Sequence, residues 1–469
     1  MIRLGRHMNV LLTHSNHVFS DEKQRQKMEP YPPLQTILAA AVLRKAGLAV
    51  DVCDTALDSP EEVLTRAIRK AAPCLVVVCE DDFNFLTKMC LSRNRELAFW
   101  TANLASEYNC PSAVHGSDST DRVDEYLKAG FNYVLIGEVE ETLRELATGS
   151  PPEQVAGLAY RESESGRTRR TAPRGLRTQL DELPMPAWDL VNINRYRELW
   201  LEHHGYFSLN LVSSRGCPFR CNWCAKPIWG NSYHVRSATS VAEEMLHLKT
   251  RYAPDHIWFA DDIFALSASW TEEFADAVEK MRAQIPFKMQ SRCDLMTRQT
   301  VADLKRAGCC DVWMGAESGS QRTLDAMEKG TNVQQILQAR ENLRRNGIRA
   351  GLFIQFGYPG ETWEDIESTV HMVRAAEPDD VGVSVTYPLP GTKLHQLVSS
   401  ELGKKTSWTE SGDLSMMFRG TFSTELYRAL ARAIHVEVRN PGNSSLLARA
   451  WADVDALKSA DMCTVEVAS

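Results

Sequence analysis

Nowhere in the 469 residues does an apolar run approach the ~18 residues a membrane span needs, which argues against a transmembrane protein. The N-terminal segment MIRLGRHMNVLLTHSN has too short an apolar stretch for a secretory signal and reads instead as a first strand. Basic residues are not in surplus: 53 Lys and Arg face 61 Asp and Glu, for a net charge of −8 and a pI near 5.9. That balance speaks against nucleic acid as a default partner. The one local exception, RESESGRTRRTAPR (162–175), is short and bears Gly and Ser, so it reads as a solvated hairpin. There is no internal repeat and no low-complexity tract. Nor is a disulfide framework expected, because twelve cysteines in a chain read as cytoplasmic serve as thiols and metal ligands. What is present is a hydrophobic content of 43%, enough for real cores, in a length that suits two or three domains.

Three of the cysteines stand out. Cys217, Cys221 and Cys224 lie in RGCPFRCNWC with CxxxCxxC spacing, on a loop leaving the strand-like run SLNLVSS. Thiolates usually hold all four irons of a [4Fe–4S] cluster, so three ligands this close leave one iron open to a substrate. A structural zinc site would be closed by a fourth ligand, and the only nearby candidate is His234, in no usual zinc spacing. A zinc clip or three ordinary loop cysteines are the bland alternatives.

This loop resembles the cluster loop of the radical S-adenosylmethionine (SAM) superfamily. The resemblance implies that the open iron is chelated by the amino and carboxylate groups of SAM, and that Trp223, just before the third cysteine, packs by the adenine. It also implies a partial (β/α)6 barrel, and six strand-like runs fit one: 207–213, 256–261, 287–292, 310–317, 351–357 and 380–388. Barrel chemistry sits at the carboxyl ends of strands. There the family pattern matches Asp261 and Asp262 to the segment that bonds the SAM ammonium. It matches Arg292, Glu317 and Ser318 to contacts with the SAM ribose and carboxylate. Lys329 matches a basic residue that pairs with the SAM carboxylate. Glu317 is the strongest of these, since paired ribose hydroxyls call for a carboxylate acceptor. GYPGET (357–362) and YPLPGT (387–392) read as shape-setting turns.

Upstream, short apolar runs at 8–14, 49–54, 74–79, 112–115 and 133–136 alternate with helical patterns at 33–47, 60–72 and 121–130. This predicts a doubly wound, Rossmann-like parallel sheet whose ligand sits outside the carboxyl ends of the strands, at loops 15–30, 80–85, 116–120 and 137–141. The order of these runs, with AVHGSD and YVLIGEVEETLREL, is similar to the cobalamin-binding domain that precedes many radical SAM domains. That resemblance implies that Gly116, Ser117, Gly137 and Glu138 shape the cobalamin site. The DxHxxG loop of the common cobalamin domain is missing; His14 and His17 are the histidines of the first loop, and neither is expected to ligate cobalt.

The expected organisation is therefore a cobalamin-binding domain over 1–150, a hairpin and docking linker over 151–205, a radical SAM barrel over 206–400 and a helical extension over 401–469. Cys53, Cys74, Cys79, Cys293, Cys309 and Cys310 fall on or beside strands and read as small buried hydrophobes, so one cluster is expected. Trp258, Trp313 and Tyr387 fall on or beside barrel strands, where packing is the default role. The resemblance implies methyl transfer to a poorly reactive carbon or phosphorus, with the cluster, SAM and cobalamin as cofactors. A small-molecule or natural-product substrate and a flavodoxin- or ferredoxin-like electron donor complete the expectation. Two other readings remain: a non-methylating cyclase or rearrangement enzyme of the same architecture, and a corrinoid or cluster carrier or sensor without turnover.

Overall fold

The computed structural model describes residues 9–84, 87, 91–162, 165–403, 407, 408, 412 and 414–468, and no side chain is described beyond residue 461. Met8 and Phe85, which end two of the expected segments, lie outside the described residues. The chain divides into two compact units. One comprises 1–217, 226–261 and 407–413; the other comprises 218–225, 262–406 and 414–469.

The first unit is built on a seven-stranded sheet. Strands β1 (Asn9–Thr13), β2 (Ala49–Cys53), β3 (Leu75–Cys79), β4 (Ser112–His115) and β5 (Tyr133–Leu135) are parallel, in the order β2-β1-β3-β4-β5. β3 reads LVVVC and every residue is buried, as a strand covered on both faces requires. Helix Leu34–Lys45 is buried over its first ten residues, which explains an apolar composition all round instead of a stripe. Helix Pro60–Ala71 follows the amphipathic rule. It opens on Pro with Glu61 and Glu62 in its first turn and ends on Ala72 in the left-handed region. Thus the strands expected from apolar runs are all present, and helices that the sequence pattern left unmarked are added, among them Ser92–Glu107 and Val139–Ala147.

The hairpin expected in 151–205 is β6 (Leu158–Arg161) and β7 (Thr168–Arg170). It extends the sheet: β6 pairs antiparallel with β5, and β7 closes the edge. The linker docks through helix Ile193–His204. Its Tyr196 hydroxyl donates to Asp54 at 2.6 Å, and the buried Trp200 donates through Nε1 to the Pro30 carbonyl at 2.7 Å. This unit also holds β8 (Ser208–Leu211), the short antiparallel pair β9 (Ser214–Arg215) and β10 (His234–Val235), and β11 (His256–Phe259), which runs parallel to β8.

The second unit contains β12 (Phe287–Arg292), β13 (Cys309–Glu317), β14 (Arg349–Phe356) and β15 (Asp380–Val385), parallel and hydrogen-bonded in that order. The two units thus supply two and four of the six parallel strands expected of a half-barrel. Helices connect the strands of this unit, and two begin with reciprocal capping boxes, Asn332 with Gln335 and Thr362 with Asp365. Past the barrel, helices Thr424–Arg439 and Ser444–Ala468 make the expected helical C-terminus. Arg439 anchors the first of them to Asp380 of β15 at 2.8 Å.

One core group makes stability pH-dependent. Burial pushes the Glu361 carboxyl up to about 8 from an ordinary 4.5, although its Oε2 accepts the Gly357 N–H at 2.7 Å; its Oε1 has no hydrogen-bond partner among the described residues. A carboxyl whose folded pKa is raised takes up a proton on folding. Its contribution is therefore full below about 4.5 and declines as pH rises through 8. Glu361→Gln should gain stability over the parent from pH 5 to pH 8, by on the order of a few kcal/mol at the upper end. Melting temperatures at the two pH values check this, and an equal difference at both would refute it.

Candidate functional site

The cysteine loop is held from both ends. Just ahead of it, Gly216 has φ +78°, and a Cβ there would lie 2.4 Å from the Ser232 carbonyl oxygen and 3.2 Å from the Trp229 Cβ. Only glycine fits that conformation and that gap. The Lys226 ammonium donates to the Cys217 carbonyl at 2.9 Å and to Asn231 at 2.9 Å. Asp261, at the end of β11, is fully buried. It accepts the backbone N–H of Ser213 at 3.1 Å, the Ser213 hydroxyl at 2.7 Å and the Ser214 hydroxyl. Burial still pushes its carboxyl up to about 6. Its bonds therefore run to the segment that enters the cysteine loop, while Asp262 is half-buried.

In the second unit Asn222 fastens the middle of the loop. Its backbone N–H bonds the Met327 carbonyl at 3.1 Å and its carbonyl accepts from Leu394 N at 3.0 Å. Its side chain donates to the Ala326 carbonyl at 2.7 Å and to Tyr358 Oη at 2.8 Å. Trp223 packs against the cluster of Met327, Tyr358, Leu394, Val398 and Phe418, with its indole N–H buried and without a hydrogen-bond partner among the described residues. Cys217, Cys221 and Cys224 are half-buried, whereas Cys53, Cys79, Cys293 and Cys309 are buried; Cys74 and Cys310, expected to be buried, are half-buried as well. Burial pushes Cys53 and Cys293 up to about 12, which keeps them as inert thiols, as their strand positions implied.

At the ends of β12 and β13 two ion pairs meet this loop. Arg292 is buried and forms a fork with Asp294, at 2.9 Å from Nε and 3.2 Å from Nη2. Its guanidinium lies 3.7 Å over the Phe219 ring, and its Nη1 stands 3.9 Å from Cys221 Sγ. Lys329 donates to Glu317 Oε1 at 2.8 Å, both being buried, and its ammonium lies 5.9 Å over Trp223. Burial works against that ammonium, but Glu317 and then Cys221 outweigh it and hold its pKa above the ordinary lysine value. Glu317 has φ +63°, a conformation costing a non-glycine residue roughly 1–2 kcal/mol. A bulge in the β13–β14 register, between Gly315 and Glu317, turns it. Gly315 makes the room, for a Cβ there would lie 2.5 Å from both Glu317 Oε1 and Lys329 Nζ. Ser318 faces elsewhere: its hydroxyl is shared with Thr369 at 3.0 Å and accepts Ser320 N at 3.1 Å.

The alternation of β13–β15 brings a half-exposed aromatic pair to one face. The Trp313 and Phe353 rings are 5.0 Å apart and lie over Gly351 and Gly382, where a Cβ would come within 2.4 Å and 3.1 Å of a ring atom. Phe353, 36% exposed, is the register partner of Gly315.

In the first unit the residues expected at a cobalamin site gather where β3, β4 and β5 end, but several are engaged with protein. Gly116 has φ +152°, and a Cβ there would lie 2.9 Å from Glu80 Cβ. Ser117 donates from N (3.0 Å) and Oγ (2.6 Å) to Asp82. The Gly137 carbonyl accepts from His115 Nε2 at 2.8 Å, and a Cβ on Gly137 would meet open space. Glu138 binds Arg215 Nη1 at 2.6 Å and Arg177 N, while Glu140 binds Arg215 Nη2. Burial raises Glu140, but Arg215 outweighs it and holds the carboxyl down at about 2. Burial also pushes Glu80 up to about 7 and Asp81 up to about 6. Buried beside these loops, His115 Nδ1 faces Asp82 Oδ2 at 3.5 Å, and the hydroxyls of Thr87 and Thr120 have no hydrogen-bond partner among the described residues. His14 is no free ligand, since its Nε2 meets Asp54 at 3.0 Å and its Nδ1 accepts Asn16 N at 3.2 Å; His17 meets the Thr55 carbonyl at 3.0 Å.

Sequence reasoning missed Arg215, Phe219, Asn222, Asp294 and Gly315. Only the first three carried a signal, by lying within the cysteine segment itself.

Residues 211–373 match the family model of the radical SAM superfamily. Among curated proteins, an uncharacterized methyltransferase of Pyrococcus horikoshii is 28% identical over 311 residues, 65% of this chain and 66% of that protein. The anaerobic magnesium-protoporphyrin IX monomethyl ester cyclase of Rubrivivax gelatinosus is 24% identical over 318 residues, 65% of this chain and 56% of the cyclase. The matched region thus spans under two thirds of the length of either relative. Among solved structures, the radical SAM methyltransferase TsrM of Kitasatospora setae, with cobalamin and a [4Fe-4S] cluster bound, superposes with a TM-score of 0.68 at 20% identity, covering 84% of this chain and 75% of TsrM. The fold is shared with that structure.

Proposed function

We propose, from the match of residues 211–373 to the radical SAM family model, that this chain is a cobalamin-dependent radical SAM enzyme that methylates an unactivated carbon or phosphorus of a small molecule. The observation that carries the reading is the meeting of the Glu317–Lys329 and Arg292–Asp294 pairs with the cysteine loop in the second unit. When bound, the cluster and SAM supply a 5′-deoxyadenosyl radical and cobalamin carries the methyl group.

The residues present suit those groups. Three half-buried thiols on one glycine-started loop are the soft donors an iron–sulfur cluster takes. Glu317 offers an acceptor for ribose hydroxyls and Lys329 a cation for the SAM carboxylate, with Trp223 beside them for the adenine. Their mutual salt bridge aims both side chains before SAM arrives. Asp261 serves by shaping the approach to Cys217. For cobalamin, the unpartnered hydroxyls of Thr87 and Thr120 are where polar groups of the nucleotide tail would bond, and Gly137 leaves open space. Gly116, Ser117 and Glu138 act there through Glu80, Asp82 and Arg215.

We place the substrate against Trp313 and Phe353, whose exposed rings adjoin Gly315 and so the Glu317–Lys329 pair. Such a wall holds an apolar face of a small molecule without requiring a general base. A non-methylating ring closure is the second reading, favoured by the similarity to the Rubrivivax cyclase. Among the described residues no helix is long and apolar enough to cross a membrane, and a cytoplasmic enzyme reduced by a flavodoxin- or ferredoxin-like donor completes the proposal. Along the chain we assign the cobalamin domain to 1–150, the hairpin and linker to 151–205, the barrel to 206–400 and the helical extension to 401–469.

The deciding experiment is anaerobic incubation of the reconstituted protein with SAM, cobalamin and a strong reductant. 5′-Deoxyadenosine together with retained corrinoid supports the reading. Corrinoid without deoxyadenosine would favour a carrier, and absence of both would overturn the assignment.

A further inference from the structure

Arg292 was expected at the SAM pocket, yet its guanidinium is committed on every side to the cysteine loop and its neighbours. One face stacks on Phe219 at 3.7 Å, one edge is forked by Asp294, Nη2 reaches the Gly330 carbonyl at 3.5 Å, and Nη1 is 3.9 Å from Cys221 Sγ. All of these residues belong to the second unit, and Arg292 is buried. From this geometry we infer that Arg292 is a positioning residue that sets the reduction potential of the cluster through Cys221, and that Asp294 limits how much positive charge the cluster feels.

The physics has a definite sign. Adding an electron to a cluster adds negative charge, so a nearby cation or a hydrogen-bond donor to a ligand sulfur stabilises the reduced form and raises the potential. A bidentate carboxylate on the same guanidinium withdraws most of that effect. Asp294 is two residues from Arg292 and partly open to solvent, with 20% of its side chain exposed against 6% for Arg292. The counter-charge can therefore be removed with less disturbance than the cation. The enzyme needs a low potential to reduce SAM, and an unneutralised buried arginine on a ligand sulfur would work against it. Hence the pair: the guanidinium orders the loop by stacking on Phe219, and Asp294 keeps its charge from raising the potential.

The inference rests on the reading that Cys217, Cys221 and Cys224 hold a [4Fe–4S] cluster, and the test separates the two. Full-length protein is reconstituted without SAM, its iron content measured, and the cluster midpoint potential determined by anaerobic titration followed by electron paramagnetic resonance. Wild type without a cluster would sink the cluster reading itself. Given a cluster, Asp294→Asn should raise the midpoint and Arg292→Met should lower it, each by about 59 mV, a tenfold change in a one-electron equilibrium. Arg292→Lys, which keeps the charge, should lie between Arg292→Met and wild type. A merely structural role would lower iron content in these variants without opposed shifts. If the potentials of Asp294→Asn and Arg292→Met move the same way, or neither moves, the inference is wrong. Should Arg292→Met fail to take up iron, the Asp294→Asn shift alone decides.

Discussion

Cys221→Ala is expected to lose the cluster and, with it, SAM cleavage. A cubane already held by three thiolates keeps only two in this variant, and no other cysteine of the described chain belongs to the loop. Cys221 is also the thiol that Arg292 approaches, so its loss leaves that guanidinium without the sulfur it faces. Changes to outer partners of a metal site already cost 10–100-fold in affinity or activity, and removing a ligand should exceed about 100-fold. Iron content and 5′-deoxyadenosine formation should fall together, while Cys74→Ala, on the first sheet, should leave both at the parental level. Cluster retained at full occupancy in Cys221→Ala would mean the ligand set is wrong.

The largest effect on stability should come from Arg215→Met. Arg215, Glu138 and Glu140 are all buried, and the single guanidinium faces both carboxylates. Removing one partner of a buried pair typically costs 3–5 kcal/mol, because an uncompensated charge stays behind. Here two carboxylates are left, so the loss should reach about the upper end of that range, read as a fall in the denaturant midpoint at pH 7. The triple variant Arg215→Met, Glu138→Gln, Glu140→Gln should recover much of it, since neutral amides replace stranded charges and keep the bonds from Arg177 N and Gln35 Nε2. Lowering the pH weakens the wild-type contact as well. The Glu140 carboxyl is depressed from 4.5 to about 2, so its stabilisation is complete above 4.5 and disappears as pH falls through 2.

Much of the fold could be read from local pattern. β3 and β14 announce themselves because burial on one or both faces demands apolar residues at fixed periods, and the cysteine loop because ligand spacing is short-range. Partnerships across long separations were not legible. Nothing around Glu138 says that its carboxylate meets Arg215, 77 residues later, and nothing in FADDIF says that Asp261 turns back to Ser213. Ser318 looked like part of GAESGS as a polar strand end, but the bulge that turns Glu317 sends the next hydroxyl to Thr369. Glu317 and Lys329 were both named by the resemblance to the radical SAM family, yet the bond between them follows from Gly315, a residue whose only signal is the missing side chain.

The short hairpin β6–β7 bears on how the protein behaves at high concentration. An open sheet edge is a template on which a second molecule can add a strand, the first step of aggregation. Here the last strand is three residues long, Thr168, Arg169 and Arg170, and both arginines are exposed. The basic run that the sequence marked as a solvated hairpin therefore supplies one of the two edge strands of the sheet. Like charges on two such borders repel, and a strand this short offers few bonds to compensate.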